Sequence, residues 1–282
     1  MSYKICIIGA GTMGSGIAQV AAQSGFNTLL YDVDIQILER AKELIQNNFQ
    51  YLNDKQKISA EEKRTFFKNI KFSNNINDCI ADIIIEAIIE DIDAKTSIFN
   101  QLSAINKNDT LFASNTSSLS ISEIQRKIKF PERVIGMHFF NPAPVMKLVE
   151  VVNGNKTNEE TTKAIVELTK QLGKTPVLCK DSPGFIVNRI ARQYYLEAMK
   201  LVEKGIAIIE DVDAIMESSG FKMGPFKLMD LIGIDINLAV SQSIYESFQQ
   251  EERFKPSVMQ KEKVKQGQLG KKTGKGFYKY DP

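Results

Sequence analysis

A chain of 282 residues has room for about two domains of roughly 150 residues each. Its 43 % hydrophobic and 25 % charged residues are ordinary globular usage, which excludes a disordered chain, a collagen-like fibre and a coiled coil. The 36 basic residues nearly cancel the 34 acidic ones for a net charge of +2, so no nucleic-acid footprint dominates the surface and any basic patch must be local.

In chain order, the short branched run 4–9 (KICIIG) predicts a strand buried on both faces, followed by a helix over 14–24. A strand at 28–31 leads into helices over 35–52 and 60–68. Strand 83–87, helix 94–105, strand 110–113 and helix 120–128 repeat the alternation, and strands 133–138 and 148–152 follow. A helix over 159–172, stopped by Gly173, precedes a last strand at 175–179. Strand–helix alternation with right-handed crossovers gives a mainly parallel, Rossmann-like doubly wound α/β sheet.

The turn cluster Asp181-Ser182-Pro183-Gly184 changes the pattern. Beyond it, Ile186, Ile190, Tyr194, Ala198 and Leu201 recur at helical spacing through 185–203, and helical period continues at 209–218, 226–231 and 235–248. The expected organisation is a Rossmann-like domain over 1–184 and a smaller all-α domain over 185–282. The Gly- and Lys-rich end, 267–279, reads as a solvated tail.

Cys6, Cys79 and Cys179 are odd in number, far apart and form no C-x-x-C pair, so neither a disulfide framework nor a zinc site is expected. No apolar run reaches the roughly 18 residues that span a bilayer, and the chain enters its first strand without a charged, cleavable leader. A cytoplasmic setting without membrane or nucleic-acid partners is expected. The single histidine, His138, rules out multi-histidine metal chemistry, and no metal is expected.

Gly9-Ala10-Gly11-Thr12-Met13-Gly14 sits between a strand and a helix, the context that gives G-x-G-x-x-G a mechanism. Gly9 permits the tight turn, Gly11 lets backbone approach a pyrophosphate, and Gly14 packs helix on strand, with the diphosphate facing the helix N-terminus along Thr12 and Met13. Asp32 ends the second strand, where a carboxylate accepts bonds from the adenosine ribose and repels a 2′-phosphate. NAD is therefore expected over NADP.

Three further blocks stand out: Ser114-Asn115-Thr116-Ser117-Ser118, Gly136-Met137-His138-Phe139-Phe140-Asn141-Pro142, and Asp181-Ser182-Pro183-Gly184-Phe185-Ile186-Val187-Asn188-Arg189. With Gly224-Pro225-Phe226, Asp230 and the closing Lys272-Thr273-Gly274-Lys275-Gly276-Phe277-Tyr278, they make the chain resemble the L-3-hydroxyacyl-CoA dehydrogenases over nearly its full length, specifically the short bacterial 3-hydroxybutyryl-CoA dehydrogenases. The resemblance implies hydride transfer between NAD and the C3 carbinol of a 3-hydroxyacyl thioester, 3-hydroxybutanoyl-CoA going to acetoacetyl-CoA. It also implies a homodimer formed through the all-α domain. With no appended hydratase domain in view, a free-standing enzyme is expected.

Alcohol oxidation needs a base that titrates near neutrality, and His138 is the one imidazole, at the carboxyl end of a strand where α/β sheets bind ligands. Glu150, inside the apolar run Leu148-Val149-Glu150-Val151-Val152, is costly to bury unless paired, and the resemblance pairs it with the histidine. By two-residue alternation it could instead face solvent from an edge strand. The resemblance places Ser117 and Asn188 on the substrate oxygen; a helix cap at 117 or 118 and a backbone bond at 188 are the plainer readings. It also puts Glu90, Lys95, Asn115, Ser117, Asn141 and Lys272 along the cofactor, Asn141 next to substrate as well, and Lys55 on CoA. An ordinary surface ion pair is the other reading of Glu90 with Lys95. The interval 55–71 carries Lys55, Lys57, Lys63, Arg64, Lys68 and Lys71, and Asn48 stands where relatives often have a small hydroxyl residue. A dehydrogenase of free 3-hydroxy acids and a non-catalytic dinucleotide-binding protein remain the alternatives.

Overall fold

A computed structural model of the chain describes residues 3–280. It divides into two compact units, residues 1–182 and 183–282. In the first, β1 (Lys4–Ile8), α1 (Thr12–Gln23), β2 (Asn27–Tyr31), α2 (Ile35–Asp54), α3 (Ala60–Lys68) and β3 (Ile70–Ser73) run in one direction across the sheet. Then β4 (Ile83–Glu86), α4 (Ile92–Ile105), β5 (Leu111–Ser114), α5 (Ile121–Arg126), β6 (Val134–Phe139), β7 (Leu148–Asn153), α6 (Glu159–Gln171) and β8 (Thr175–Lys180) run in the other. The strand order is β3-β2-β1-β4-β5-β6-β7-β8, so the chain reverses direction between β1 and β4. Ligands of open α/β sheets bind beyond the carboxyl ends of the strands at that switch.

Ile5, Ile7, Leu30, Ile83 and Ile85 are buried in the sheet core, as strands covered on both faces require. Three helices of this unit start on a capping side chain of the expected kind: Asp34 accepts from Gln36 N–H, Asp91 from Ala94 N–H, and Ser59 forms a capping box with Glu62. Glycine 11, without a side-chain cap, opens α1.

Two features of the sheet depart from expectation. A strand at Ile70–Ser73 pairs with β2 at the edge; of its four residues Ile70 alone is buried, so the apolar pattern that marks the central strands is missing. β7 runs antiparallel to β6, because the link between them is too short for the dozen or so residues of a parallel crossover.

The second unit is helical: α7 (Val187–Glu203), α8 (Ile209–Ser218), α9 (Pro225–Ile232), α10 (Ile234–Ser247) and α11 (Val258–Lys265). Tyr195, Leu196, Met199, Val212, Phe226 and Met229 form its core. Inside it, Arg192 donates to the Asn237 carbonyl at 2.8 Å and to Ser241 Oγ at 2.9 Å, and burial pulls its guanidinium down to about 10. α11 escaped the sequence reading because it has almost no amphipathic face; Gln260 is its one buried residue.

The Gly- and Lys-rich end is not a solvated tail. Asp230, 1 % exposed, accepts from Phe277 N–H, Tyr278 N–H and Tyr280 Oη, each at 2.9 Å. Asp213, fully buried, accepts from Phe226 N–H and Lys227 N–H at the start of α9 and from Tyr278 Oη. Two buried carboxylates therefore tie the end of the chain to the helices, and burial next to them pushes both phenols up so that they stay donors.

Candidate active site

The glycine turn divides its labour between fold and ligand. Gly9 has φ +97°, and a Cβ there would press on the Ala87 carbonyl at 2.7 Å; a Cβ on Gly14 would run into the Gly9 carbonyl. Both are required by the protein itself. At Gly11 the backbone is extended and a Cβ would meet nothing within 4 Å. The space above Gly11 is thus open, beside the N–H groups that begin α1, where a pyrophosphate gains from both hydrogen bonds and dipole. Asp32, one residue past β2, accepts from Ala10 N–H at 2.8 Å and from Asp34 N–H at 3.0 Å. These bonds fix its carboxylate over the turn, in position for a ribose. The turn and the carboxylate fit a dinucleotide.

His138 and Glu150 face each other directly in the antiparallel β6–β7 register. Nδ1 lies 2.7 Å from Glu150 Oε2, with the two residues 5 % and 0 % exposed. β8 covers the outer side of β7, so Glu150 is not on an edge strand and does not face solvent. A buried carboxylate without a partner is costly, and the imidazole supplies one. The Phe140 ring lies 4.5 Å from the imidazole, centroid to centroid.

Beyond the ends of β4 and β5, Lys95 of α4 is only 1 % exposed. Its ammonium is 2.5 Å from Glu86 Oε1 and 3.3 Å from Glu90 Oε2, so the lysine of the Glu90–Lys95 pair is buried while Glu90 itself is exposed. Glu90 Oε1 gathers the turn after β5, accepting from Thr116 Oγ1 at 2.6 Å, Ser117 N–H at 2.9 Å and Ser118 N–H at 3.1 Å. Ser117 Oγ lies 3.3 Å from the same oxygen. Burial would raise the Glu90 carboxyl; the Lys95 ammonium and these donors outweigh it and hold the group below its ordinary range. Burial pushes the Glu86 carboxyl up, against Lys95, Ser114 Oγ and Ile88 N–H. Glu86 was missed in the sequence. It ends an apolar run instead of interrupting one, yet a carboxylate closing Ile-Ile-Ile-Glu carries the same signal of costly burial that singled out Glu150.

Asn115 ties strand ends together: its N–H donates to the Glu86 carbonyl at 2.8 Å and its Oδ1 accepts from Phe139 N–H at 2.8 Å. Asn141 is exposed and lines a cleft of about 720 Å³ with Thr12, Ser15, Asn48, Tyr51 and Pro142. Lys55 follows α2, its ammonium 5.8 Å from the centre of the Tyr51 ring. In the second unit, Asn188 stands in the first turn of α7, and Lys272 pairs with Asp235 at 2.7 Å.

Family models now bear on this geometry. The 3-hydroxyacyl-CoA dehydrogenase NAD binding domain matches residues 4–182, and the C-terminal domain of the same family matches residues 184–280. The chain belongs to the 3-hydroxyacyl-CoA dehydrogenase family. It is 47 % identical over 276 residues to a 3-hydroxyadipyl-CoA dehydrogenase of Escherichia coli K12, an alignment covering 97 % of this chain and 58 % of that protein. A solved 3-hydroxybutyryl-CoA dehydrogenase from Escherichia coli K12 superposes with a TM-score of 0.96 at 46 % identity, over 99 % of this chain and 60 % of the other. The (S)-3-hydroxybutyryl-CoA dehydrogenase of Ralstonia eutropha gives 0.95 at 38 % identity over the full length of both. The chain thus spans about three fifths of the first two relatives and all of the third. Membership in the 3-hydroxyacyl-CoA dehydrogenases brings NAD as the cofactor of the first unit.

Proposed function

We propose that the chain catalyses the reversible NAD-dependent oxidation of (S)-3-hydroxyacyl-CoA to 3-oxoacyl-CoA, with 3-hydroxybutanoyl-CoA and acetoacetyl-CoA as its short-chain pair. The buried His138–Glu150 contact at 2.7 Å carries the reading. Glu150 holds Nδ1–H, which sets the tautomer in which Nε2 is the basic nitrogen, and it stabilises the imidazolium that forms. His138 Nε2 then takes the C3 hydroxyl proton, and in the reverse direction returns it to the C3 oxygen. Ser117 Oγ and the Asn188 amide orient that oxygen. Gly9 to Gly14 and Asp32 hold the pyrophosphate and adenosine ribose, while Glu90, Lys95, Asn115, Asn141 and Lys272 serve the rest of the cofactor. Bound NAD supplies the hydride acceptor.

Lys55 and the cleft beside Asn141 are assigned to the CoA moiety. Ile206, Ile208, Ile215 and Phe221, all exposed in the second unit, support a homodimer formed through that unit. Among the described residues no helix is long and apolar enough to cross a membrane, and the three cysteines are free thiols; we assign the enzyme to the cytoplasm.

Purified protein mixed with acetoacetyl-CoA and NADH or NADPH, with free acetoacetate as control, tests the reading by absorbance. Turnover confined to the thioester and NADH is expected. Turnover of the free acid would move the chain to the free hydroxy-acid dehydrogenases, and NADH binding without turnover would leave a dinucleotide-binding protein. Gel filtration at twice 31.7 kDa is expected for the dimer; elution as a monomer would refute it.

A further inference from the structure

The buried ladder beyond β4 and β5 has a member with no role in the chemistry above. Glu86 is fully buried, and its hydrogen-bond partners are donors: Lys95 Nζ and Ile88 N–H on Oε1, Ser114 Oγ on Oε2 at 2.6 Å. A donor-only environment suits a carboxylate, which offers about four lone-pair sites and no proton. The opposite end of Lys95's reach is Glu90, and Glu90 in turn collects donors from Thr116, Ser117 and Ser118 on one oxygen. Ser114 Oγ also accepts from Thr116 N–H at 3.3 Å. The turn that carries Ser117 is therefore held from both sides, through Ser114 directly and through Lys95 and Glu90, and both routes converge on Glu86.

We infer that Glu86 is a positioning residue for the reaction: it anchors Lys95 and Ser114, and through them fixes the 116–118 turn so that Ser117 Oγ stands where the substrate oxygen requires it. The inference rests on the proposed contact between Ser117 and substrate. Five donor contacts crowd Glu90 Oε1, more than its lone pairs can serve at once, and the Ser117 Oγ contact at 3.3 Å is the longest of them. Where that hydroxyl stands follows from where the backbone beneath it is held. Replacing the Glu86 carboxylate by an amide keeps the shape but puts an N–H among donors and takes the second carboxylate from Lys95. The ammonium then shifts toward Glu90, and the turn moves with it.

The test is a double-mutant cycle on steady-state kinetics with acetoacetyl-CoA and NADH. Glu86→Gln is expected to lower kcat about ten-fold with KM for the thioester little changed, the mark of lost orientation and not of lost binding. In a Ser117→Ala background the same substitution should change kcat less than about two-fold, because the group it positions is gone. An equal loss in both backgrounds, or no loss in either, overturns the positioning role while leaving Ser117 in place. Normal turnover of Ser117→Ala alone instead removes Ser117 from the chemistry, and the inference falls with that reading. Should Glu86→Gln not fold, Ser114→Ala cuts one of the two routes without touching the charges; a fall in kcat that vanishes in the Ser117→Ala background supports the ladder, and one that persists there refutes it.

Discussion

At the scale of single residues, burial decides which groups titrate where. The Cys179 thiol is pushed up to about 11 by burial and by the Glu150 and Asp181 carboxylates. Thiolate is the reactive form, so at pH 8 alkylation of native Cys179 by iodoacetamide should be about 10²-fold slower than that of an ordinary thiol. Mass spectrometry of the native protein over time reads this directly, and labelling at the rate of free cysteine would contradict it. Glu90 is shifted in the stabilising sense: its folded carboxyl lies below the ordinary value of 4.5. Its contribution is therefore present above that value and lost as pH falls from there through the folded one. Thermal melts between pH 6 and 3 should show a shallower acid decline for Glu90→Gln than for the parent; identical slopes would mean the carboxylate is not held down by Lys95.

Legibility at this scale followed one physical rule. Glu150 could be read from the sequence because a carboxylate inside Leu-Val-Glu-Val-Val must find a partner if buried, and the antiparallel register supplies His138 opposite. The partnership came from the family resemblance and not from the residues alone, since register depends on the β6–β7 link and on β8 covering the far side. Glu86 and the depth of Lys95 stayed hidden because a lone Lys on a helix is ordinarily a solvated one.

At the scale of elements, the β1–α1 turn and the chain end make opposite demands on glycine. Gly11 touches no protein atom where its Cβ would be, whereas Gly14 abuts the Gly9 carbonyl. Gly11→Ala should leave the melting temperature within error and weaken NADH binding at least about ten-fold, since a methyl occupies the space the pyrophosphate needs. Gly14→Ala should lower the melting temperature as well. NADH titration and thermal melts of the two variants check the pair; full NADH affinity in Gly11→Ala would place the pyrophosphate elsewhere. At the other end, a Cβ on Gly276 would run into the Asp230 carboxylate. Gly276→Ala is expected to cost about 2–3 kcal/mol, read from the denaturation midpoint, and an unchanged midpoint would mean that the closing segment is not docked. Composition gave no sign of this docking: glycines and lysines suggest solvent, and only the buried acceptors of Asp213 and Asp230 turn those glycines into close-packing positions. Strands β1, β2 and β4 to β7, each with three or more buried residues, were readable for the converse reason, and β3 was not, having one buried residue in four.

At the scale of the whole molecule, the proposed reaction asks a near-neutral chain to recognise two ligands rich in phosphate, and the local means it has are an uncapped helix start above Gly11 and a basic interval over 55–71. Two units have separate cores: the first carries the glycine turn, Asp32, His138 and Glu150, and the second carries Asn188. On the proposed mechanism the chemistry is concentrated in one imidazole, the only one the chain has. The decisive measurement is therefore the turnover of His138→Gln with acetoacetyl-CoA and NADH, alongside its NADH dissociation constant. A fall in kcat of about 10²–10⁴ with NADH affinity unchanged is expected for lost general acid–base catalysis. Turnover close to that of the parent would contradict the assignment of His138 as the acid and base of the reaction.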